Sequence, residues 1–423
     1  MAEISEHIIQ FFMMESGIRA VLASVLVGGL CGVLGCFIVL RNMSLIGDAL
    51  SHAILPGIVL AFILFGYSTA AFFGGSVLVG LLSAILITWL QQKVRVKNDA
   101  AIGIIFTFMF STGVIGISWL SHNEGVHIDL KDFLFGNILA VSVEDVILTS
   151  GMALLVLIVI LLSYRALFTT TFQSVIAETL GFKPASIHYL LMLLLSLSVV
   201  ASLRSVGVIL VVAMLITPAS AALLISDRLS RVLATAGIIG MLAAMTGILL
   251  SISFDFPPGP SMAIVTTAFY MIIVMIAPKR GLIPKWFRKR QMEKRVIIED
   301  ILKQSFKSGA NHGLTFEELS SKIGHSPSKI KKWFYTLTKL GLMEPSKTEI
   351  KLSAEGMKRA NQLVRAHRLW ETFLVDQLGL NIDQIHEEAE RFEHHLSEED
   401  INEVDEKLGF PETDPHGSPI PKI

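Results

Sequence analysis

Apolar residues fill the first two-thirds of the chain in runs that polar and charged residues separate. A helix needs about 20 predominantly apolar residues to cross a bilayer. By that measure the pattern predicts nine membrane-spanning helices, or eight if one of the short or broken segments, near Pro56 and near residue 200, does not span. The predicted spans are 17–40, 45–66, 69–90, 101–120, 146–163, 187–201, 205–225, 232–252 and 261–277. Within the seventh, Thr217-Pro218 predicts a kink.

The pattern changes after residue 280 to shorter amphipathic segments. Residues 296–308 predict a helix, and Thr315 with Glu318 forms a capping-box signature for the next one. Ser326-Pro327 predicts the start of a third helix. Residues 349–352 read as a wing strand, so this region predicts a winged helix-turn-helix followed by a helical segment over 357–410.

Composition supports two unlike halves. The chain is 52% apolar and has a mean hydropathy of +0.62, too high for a soluble protein of 423 residues. Residues 1–295 carry 19 Lys and Arg against 14 Asp and Glu, whereas 296–423 carry 16 against 22. The fold class is therefore an all-α polytopic membrane protein with a soluble tail. We expect a polytopic membrane domain over 1–280, a basic juxtamembrane linker over 281–295, and a cytoplasmic domain over 296–423.

Positive charges predict the orientation. Lys and Arg concentrate in the loops after the first, third, fifth, seventh and ninth runs, and such loops remain in the cytoplasm. We therefore expect a multi-pass protein of the cell membrane with its amino terminus outside and its carboxyl-terminal domain inside. The basic run 281–295 is expected to contact anionic lipid headgroups. Two cysteines, Cys31 and Cys36, are too few for a disulfide framework or a zinc cluster.

Asp48 and His52 are the candidate site in the membrane half. Four residues apart on a helix, they share one face. Ionisable groups at membrane depth are costly and commonly mark the path of a transported species. A carboxylate and an imidazole suit a divalent metal of intermediate hardness. From the residues alone, a hydrogen bond that only fastens two helices is the equal alternative.

The tail offers a second candidate group. Glu390, Glu393 and His394 occupy positions i, i+3 and i+4, which share one helical face and could bind manganese, iron or zinc. An acidic surface helix that happens to carry histidines is the alternative, and the residues alone favour it.

Three motifs in the first 280 residues resemble the permease subunits of manganese/zinc-type ABC importers. They are Asn42-Met43-Ser44-Leu45-Ile46-Gly47-Asp48-Ala49-Leu50-Ser51-His52-Ala53-Ile54-Leu55-Pro56-Gly57, Asp99-Ala100-Ala101-Ile102-Gly103-Ile104, and Gly207-Val208-Ile209-Leu210-Val211-Val212-Ala213-Met214-Leu215-Ile216-Thr217-Pro218-Ala219. The resemblance implies that Asp48 and His52 lie on the metal path. It also implies that the loop around Glu178 and Gly181 is the ATPase-coupling element.

The same resemblance implies partners. They are a cytoplasmic ABC ATPase, an extracellular metal-binding lipoprotein, and a second permease subunit, identical or related. The chain has no G-x-x-x-x-G-K-[ST] loop, so we expect a transport subunit rather than an enzyme, with ATP hydrolysis in a separate chain. No permanently bound cofactor is expected, only a transported divalent metal.

The tail resembles the DtxR/MntR-type metal-dependent repressors from about residue 296 onward. The resemblance rests on Val364-Arg365-Ala366-His367-Arg368-Leu369-Trp370-Glu371, on the cluster 388–395, and on Asp414-Pro415-His416-Gly417-Ser418-Pro419-Ile420-Pro421. It places the regulatory-metal ligands at His367, Glu390, Glu393 and His394. It departs at the first helix, where Glu299 takes one acidic position and Val296 falls on the other.

Together these observations predict the permease subunit of an importer for divalent metal, with manganese as the first choice. Zinc or iron is the close alternative. A membrane-anchored, metal-responsive transcription regulator is the alternative from another class, and contact of the tail with nucleic acid is left open. A third hypothesis concerns the tail itself: cytoplasmic metal binds it and slows transport.

Overall fold

The computed structural model describes residues 9–66, 68–124, 138–308, 314–346, 349–381, 385, 389 and 398–422. These residues form helices, with turns and isolated antiparallel bridges between them. The chain divides into two compact units, Met1–Lys285 and Trp286–Ile423. Each unit has a hydrophobic core of its own. The domain limits predicted from composition, including the separate basic linker, stay predictions.

The described part of the first unit is a bundle of apolar helices. They are α1 (Glu15–Leu40), α2 (Ile46–Ala53), α3 (Leu55–Phe65), α4 (Thr69–Trp89), α5 (Asn98–Glu124), α6 (Val143–Leu162), α7 (Tyr164–Phe172), α8 (Ser174–Thr179), α9 (Pro184–Ile225), α10 (Leu229–Phe254) and α11 (Pro258–Ile276). Among the described residues, nine helical stretches are long and apolar enough to cross a membrane, each within a few residues of a predicted run. The prediction of eight or nine spans is confirmed for the described part of the chain.

Helices α2 and α3 form one of these spans, and the span is interrupted at Ile54. Pro56 has no backbone N–H, so the regular hydrogen bond to the His52 carbonyl is missing. The Ile54 N–H donates to that carbonyl instead, and Gly57 N–H donates to the Ile54 carbonyl at 2.9 Å. The interruption places His52 in the last turn of α2.

Helix α1 packs closely against α10 because glycines face each other. A Cβ added to Gly28 would lie within 3.0 Å of the Gly240 carbonyl oxygen, and a Cβ added to Gly240 would meet Gly28 in the same way. Gly32 stands equally close to the backbone of Ala236. Small residues of this kind let two helices in lipid approach backbone to backbone.

Helix α9 contains two of the nine spans. Its backbone leaves the helical region at Gly207, where φ is +78° and ψ is 169°. Residues with a Cβ rarely adopt that conformation, so glycine suits the position. The kink was predicted at Thr217-Pro218 instead, yet Pro218 lies inside the continuing helix, and the departure from helical angles falls near the start of the second span.

Side chains from alternate loops of the bundle meet. Arg41, after α1, donates through Nη2 to Thr170 Oγ1 at the end of α7, at 2.9 Å. Lys279 and Arg280, after α11, bind the Asp227 carboxylate between α9 and α10 at 3.1 and 2.8 Å. The Lys279 hydrogen bond, followed by the charges of Lys279 and Arg280, holds the pKa of Asp227 below its ordinary value. These contacts join loops that the charge pattern predicts to lie on the same side of the membrane.

The second unit contains helices with short bridged segments between them. Helix α12 (Leu282–Lys307) carries the basic run and continues into this unit. It is followed by α13 (Phe316–Ile323), α14 (Pro327–Lys339), α15 (Ala354–Asp376) and α16 (Glu398–Lys407). Antiparallel bridges join Leu314 to Ile350 and Met343 to Leu352, at the position of the predicted wing.

The capping signals of the tail are borne out. Thr315 Oγ1 accepts from the Glu318 N–H at 3.2 Å, and the Glu318 carboxylate accepts from the Thr315 N–H at 2.9 Å. This reciprocal pair fixes the start of α13. Pro327 opens α14 as predicted. The core of the unit is apolar and includes Ile301, Leu319, Ile330, Phe334 and Ile350.

Candidate functional site

Asp48 and His52 meet on α2. The distance from Asp48 Oδ1 to His52 Nε2 is 3.6 Å, and the side chains are 47% and 18% exposed within this chain. The four-residue spacing on a helix brings the two groups onto one face, as predicted. Helix α2 therefore carries a carboxylate in its first turn and an imidazole in its last turn, before the Ile54 break and inside a membrane span.

The other ring nitrogen of His52 has no polar neighbour. Nδ1 is buried and has no hydrogen-bond partner in the described structure. Two rings of α5 surround it: the centroids of Phe106 and Phe110 lie 5.7 and 5.4 Å from the His52 ring, both nearly edge-on. The phenyl rings hold the imidazole in place and leave it free to bind through nitrogen.

Two ligands do not complete a metal shell. Among the residues that the structure describes, no group of three or more His, Cys, Asp or Glu side chains could hold a metal ion. An ion at Asp48 and His52 would need further ligands from water or from another chain. Such an incomplete pair suits an ion in transit better than a resident one.

Glu178 and Gly181 lie at the end of the short helix α8. Gly181 has φ +84°, and its N–H donates to the Glu178 carbonyl at 3.0 Å, while Phe182 N–H donates to the Ala177 carbonyl. These bonds end the helix. Ala177 is buried, and the apolar side chains around it are exposed: Val175 in α8 is 75% exposed, and Leu180, directly after the helix, is 60% exposed. A short helix in a polar loop thus presents apolar side chains.

In the second unit, the two predicted ligands that can be described both have protein partners. Glu299 is buried on α12 and accepts from Arg295 Nε at 3.0 Å and Arg359 Nη2 at 3.5 Å. His367, buried on α15, has Nε2 3.0 Å from Glu371 Oε1. Its Nδ1 lies 3.2 Å from the Nζ atom of Lys303, which is 2% exposed. Both predicted ligands thus have charged partners within the second unit.

The remaining predicted ligands of the tail, Glu390, Glu393 and His394, lie outside the described residues. Whether they form a metal site with His367 stays a prediction. Val296, the other acidic position expected on the first helix, is half-buried on α12.

Comparison with known proteins decides what the membrane unit is. Residues 13–277 match the family model described as "ABC 3 transport family". That match covers more than half of the chain. The chain belongs to the ABC 3 transport family.

Among relatives of this family member is the "Manganese transport system membrane protein MntC" of Halalkalibacterium halodurans. It is 44% identical over 273 residues, which are 64% of this chain and 91% of that protein. The "Manganese import system permease protein ScaB" of Streptococcus parasanguinis is 41% identical over 271 residues, 64% of this chain and 93% of that protein.

A solved structure shares the fold of the membrane unit. It is titled "PsaBC from Streptococcus pneumoniae in complex with Fab" and is 39% identical, with a TM-score of 0.58. The matched region covers 66% of this chain and 97% of the chain in that structure. The chain is a multi-pass membrane protein of the permease type, as its sequence predicted.

The tail matches a different family. Residues 353–422 match the model described as "Iron dependent repressor, metal binding and dimerisation domain". This ABC 3 family member therefore carries a repressor-type domain behind its permease, and the predicted fusion is confirmed. The match includes His367 but does not extend to Glu299 or Lys303.

Sequence reasoning missed three residues that shape these sites. Phe106 and Phe110 are distant in sequence from His52, although their spacing of four predicts that they share a face of α5. Lys303 lies one turn after Glu299 on α12. No motif in the sequence marks it as a partner of His367.

Proposed function

We propose that this chain is the permease subunit of an ATP-driven importer that moves Mn²⁺ into the cell. The observation that carries the proposal is the pairing of Asp48 with His52 inside a membrane span, with His52 Nδ1 buried and unpaired. Ionisable groups at membrane depth are costly and commonly mark the path of a transported species. The relatives' names supply manganese as the ligand.

The chemistry of the pair agrees with this cargo. A carboxylate oxygen and an imidazole nitrogen suit Mn²⁺, Fe²⁺ and Zn²⁺, and thiolates, which favour softer metals, are absent from the motif. Zinc or iron remains the alternative cargo. With only two ligands from this chain, an ion could be released again without breaking a complete coordination shell.

Transport would proceed by alternating access, driven by a separate ATPase. We propose that helix α8 is where that ATPase docks. Its exposed Val175, Ile176 and Leu180 form an apolar surface on a loop that the charge pattern assigns to the cytoplasm. Exposed apolar patches of this kind commonly mark protein interfaces. Glu178 and Gly181 end the helix and set the direction in which this surface points.

We further propose the two other partners that the family resemblance implies. An extracellular metal-binding lipoprotein would deliver the ion, and a second permease subunit would supply the opposite wall of the path. The 47% exposure of Asp48 within a single chain leaves room for such a wall.

Uptake measurements test the path. Cells that depend on this chain would be loaded with radioactive Mn²⁺, with Zn²⁺ and Fe²⁺ as competitors. We expect Asp48→Ala and His52→Ala to lower the uptake rate by about 10- to 100-fold, the range seen when groups that support a metal site are lost. Both variants should still reach the membrane in normal amounts.

Thr267→Ala is the matched control, because Thr267 is a polar residue of a span whose hydroxyl bonds only to its own helix, at 2.9 Å. It should transport normally. Wild-type uptake in both site variants would contradict the proposal. It would favour the alternative in which the helices only anchor the tail in the membrane. Stronger competition by Zn²⁺ or Fe²⁺ than by unlabelled Mn²⁺ would contradict the choice of cargo.

A further inference from the structure

The tail belongs to a domain family whose description includes metal binding, so His367 must be tested as a ligand. A histidine that binds metal uses the lone pair of one ring nitrogen and almost always donates the other N–H to a carboxylate or carbonyl. His367 has the second half of this arrangement, because its Nε2 lies 3.0 Å from Glu371 Oε1. The ring is therefore oriented as it would be in a metal site.

The nitrogen that would face the metal faces Lys303 instead. Lys303 Nζ lies 3.2 Å from Nδ1, and both side chains are buried. An ammonium group has donors and no acceptor, so Nδ1 must accept the hydrogen bond. The ring proton then resides on Nε2 and is donated to Glu371. Neither nitrogen offers a lone pair to a metal while Lys303 is protonated.

The same position is unfavourable for a divalent ion on electrostatic grounds. A metal bound to Nδ1 would lie about 2.1 Å from it, inside the hydrogen bond that Lys303 makes. Two cations at such a distance repel strongly in a buried environment. The residues around His367 therefore do not fit a metal at this nitrogen.

We infer that the Lys303 ammonium stands in the place of a regulatory metal ion, and that His367 does not bind divalent metal in this chain. Lys303 supplies the positive charge that the buried His367–Glu371 pair requires. The tail is then held together by a covalently attached cation, whatever the metal content of the cytoplasm. The inference does not depend on the identity of the transported ion.

Binding of Mn²⁺ alone to the full-length chain in lipid nanodiscs tests the inference. The background would carry Asp48→Ala and His52→Ala, so that the membrane pair contributes nothing. Bound Mn²⁺ would be counted by electron paramagnetic resonance. With Lys303 intact, we expect His367→Ala to leave the number of bound Mn²⁺ ions unchanged. In the same background, Lys303→Glu should add one Mn²⁺ per chain, and His367→Ala should abolish that addition.

Lys294→Glu is the matched control, since it makes the same charge change at an exposed position of α12. It should add no His367-dependent ion. The inference would be overturned if the chain with Lys303 intact bound one Mn²⁺ ion and His367→Ala abolished that binding. A Lys303→Glu chain that folds and binds no more Mn²⁺ than the control would also overturn it.

Hydrogen exchange keeps the test decisive if Lys303→Glu fails to fold. In the background chain, Mn²⁺ should leave the exchange rates of α12 and α15 unchanged. Lys303→Met, which keeps the volume and removes the charge, should raise exchange in both helices without metal. Protection of these helices by Mn²⁺ with Lys303 present would overturn the inference, as would unchanged exchange in Lys303→Met.

Discussion

The two nitrogens of His52 lie in different surroundings. Nε2 faces the Asp48 carboxylate at 3.6 Å, whereas Nδ1 is buried beside Phe106 and Phe110 without a polar partner. Leaving a buried polar group unsatisfied costs about 1–3 kcal/mol. An ion held between Asp48 and His52 would bind Nε2 and would leave that cost in place. The arrangement favours brief binding over permanent occupancy.

How much of this residue-scale detail could be predicted depends on sequence separation. The spacing of Asp48 and His52 predicted their meeting because a helix fixes neighbours at i and i+4. The contact of His52 with Phe106, or of Lys303 with His367, joins residues more than 50 positions apart. Helix periodicity carries no information about which helices will be neighbours.

Gly28 provides a test at the scale of one residue. We expect Gly28→Ala to lower the stability of the membrane unit by about 1–3 kcal/mol, the usual cost of overpacking. The added Cβ would lie within 3.0 Å of the backbone of Gly240, which cannot move aside like a flexible side chain. The midpoint of thermal unfolding in detergent measures the change.

The matched control is Gly151→Ala in α6. An added Cβ there has nothing within 4 Å, so this change should be neutral or slightly stabilising. Equal melting temperatures for the two variants would contradict the close approach of α1 and α10.

At the scale of elements, the bilayer makes prediction easy for the spans and hard for their interruptions. Span limits follow from the thickness of the hydrocarbon core and agree with the sequence within a few residues. The Ile54 break follows from Pro56, as predicted. The break in α9 does not follow from Pro218: a proline can be accommodated inside a packed helix, whereas Gly207 adopts angles that its local sequence does not reveal.

Helix α8 offers a test at this scale. We expect Leu180→Ser to lower metal uptake several-fold while the protein remains in the membrane. The exposed leucine would lose apolar contact with the ATPase, and little within this chain would change because the side chain is 60% exposed. Radioactive uptake and co-purification with the ATPase measure the effect.

Thr169→Ala on the neighbouring α7 is the control, because its hydroxyl bonds to the carbonyl of Arg165 within its own helix. Normal uptake and normal ATPase binding in Leu180→Ser would remove α8 from the interface.

At the scale of the whole molecule, charge patterning predicted which loops lie on a common side. Contacts between Arg41 and Thr170, and between Asp227 and the pair Lys279 and Arg280, agree with two of those pairings. The division into an apolar bundle and a charged tail was likewise visible in composition. Only the positive-inside rule predicts the side of the membrane on which each loop lies.

Single cysteines test that orientation in intact cells. We expect Phe256→Cys, between α10 and α11, to react with a membrane-impermeant maleimide from outside. Lys183→Cys, before α9, should react only after lysis. Native Cys31 and Cys36 are buried, so the chain without an added cysteine serves as the unlabelled control. The reverse labelling pattern would place the tail outside and contradict the assignment.

The glycine contact between α1 and α10 limits how this bundle can move. Where backbones touch directly, no side chain remains that could change rotamer or slide along a groove, so the two helices travel as one rigid body. The movements of a transport cycle must then occur in other helices of the bundle. The interrupted α2–α3 span is suited to that task, because its hydrogen-bond ladder is already broken beside the residues that meet the ion.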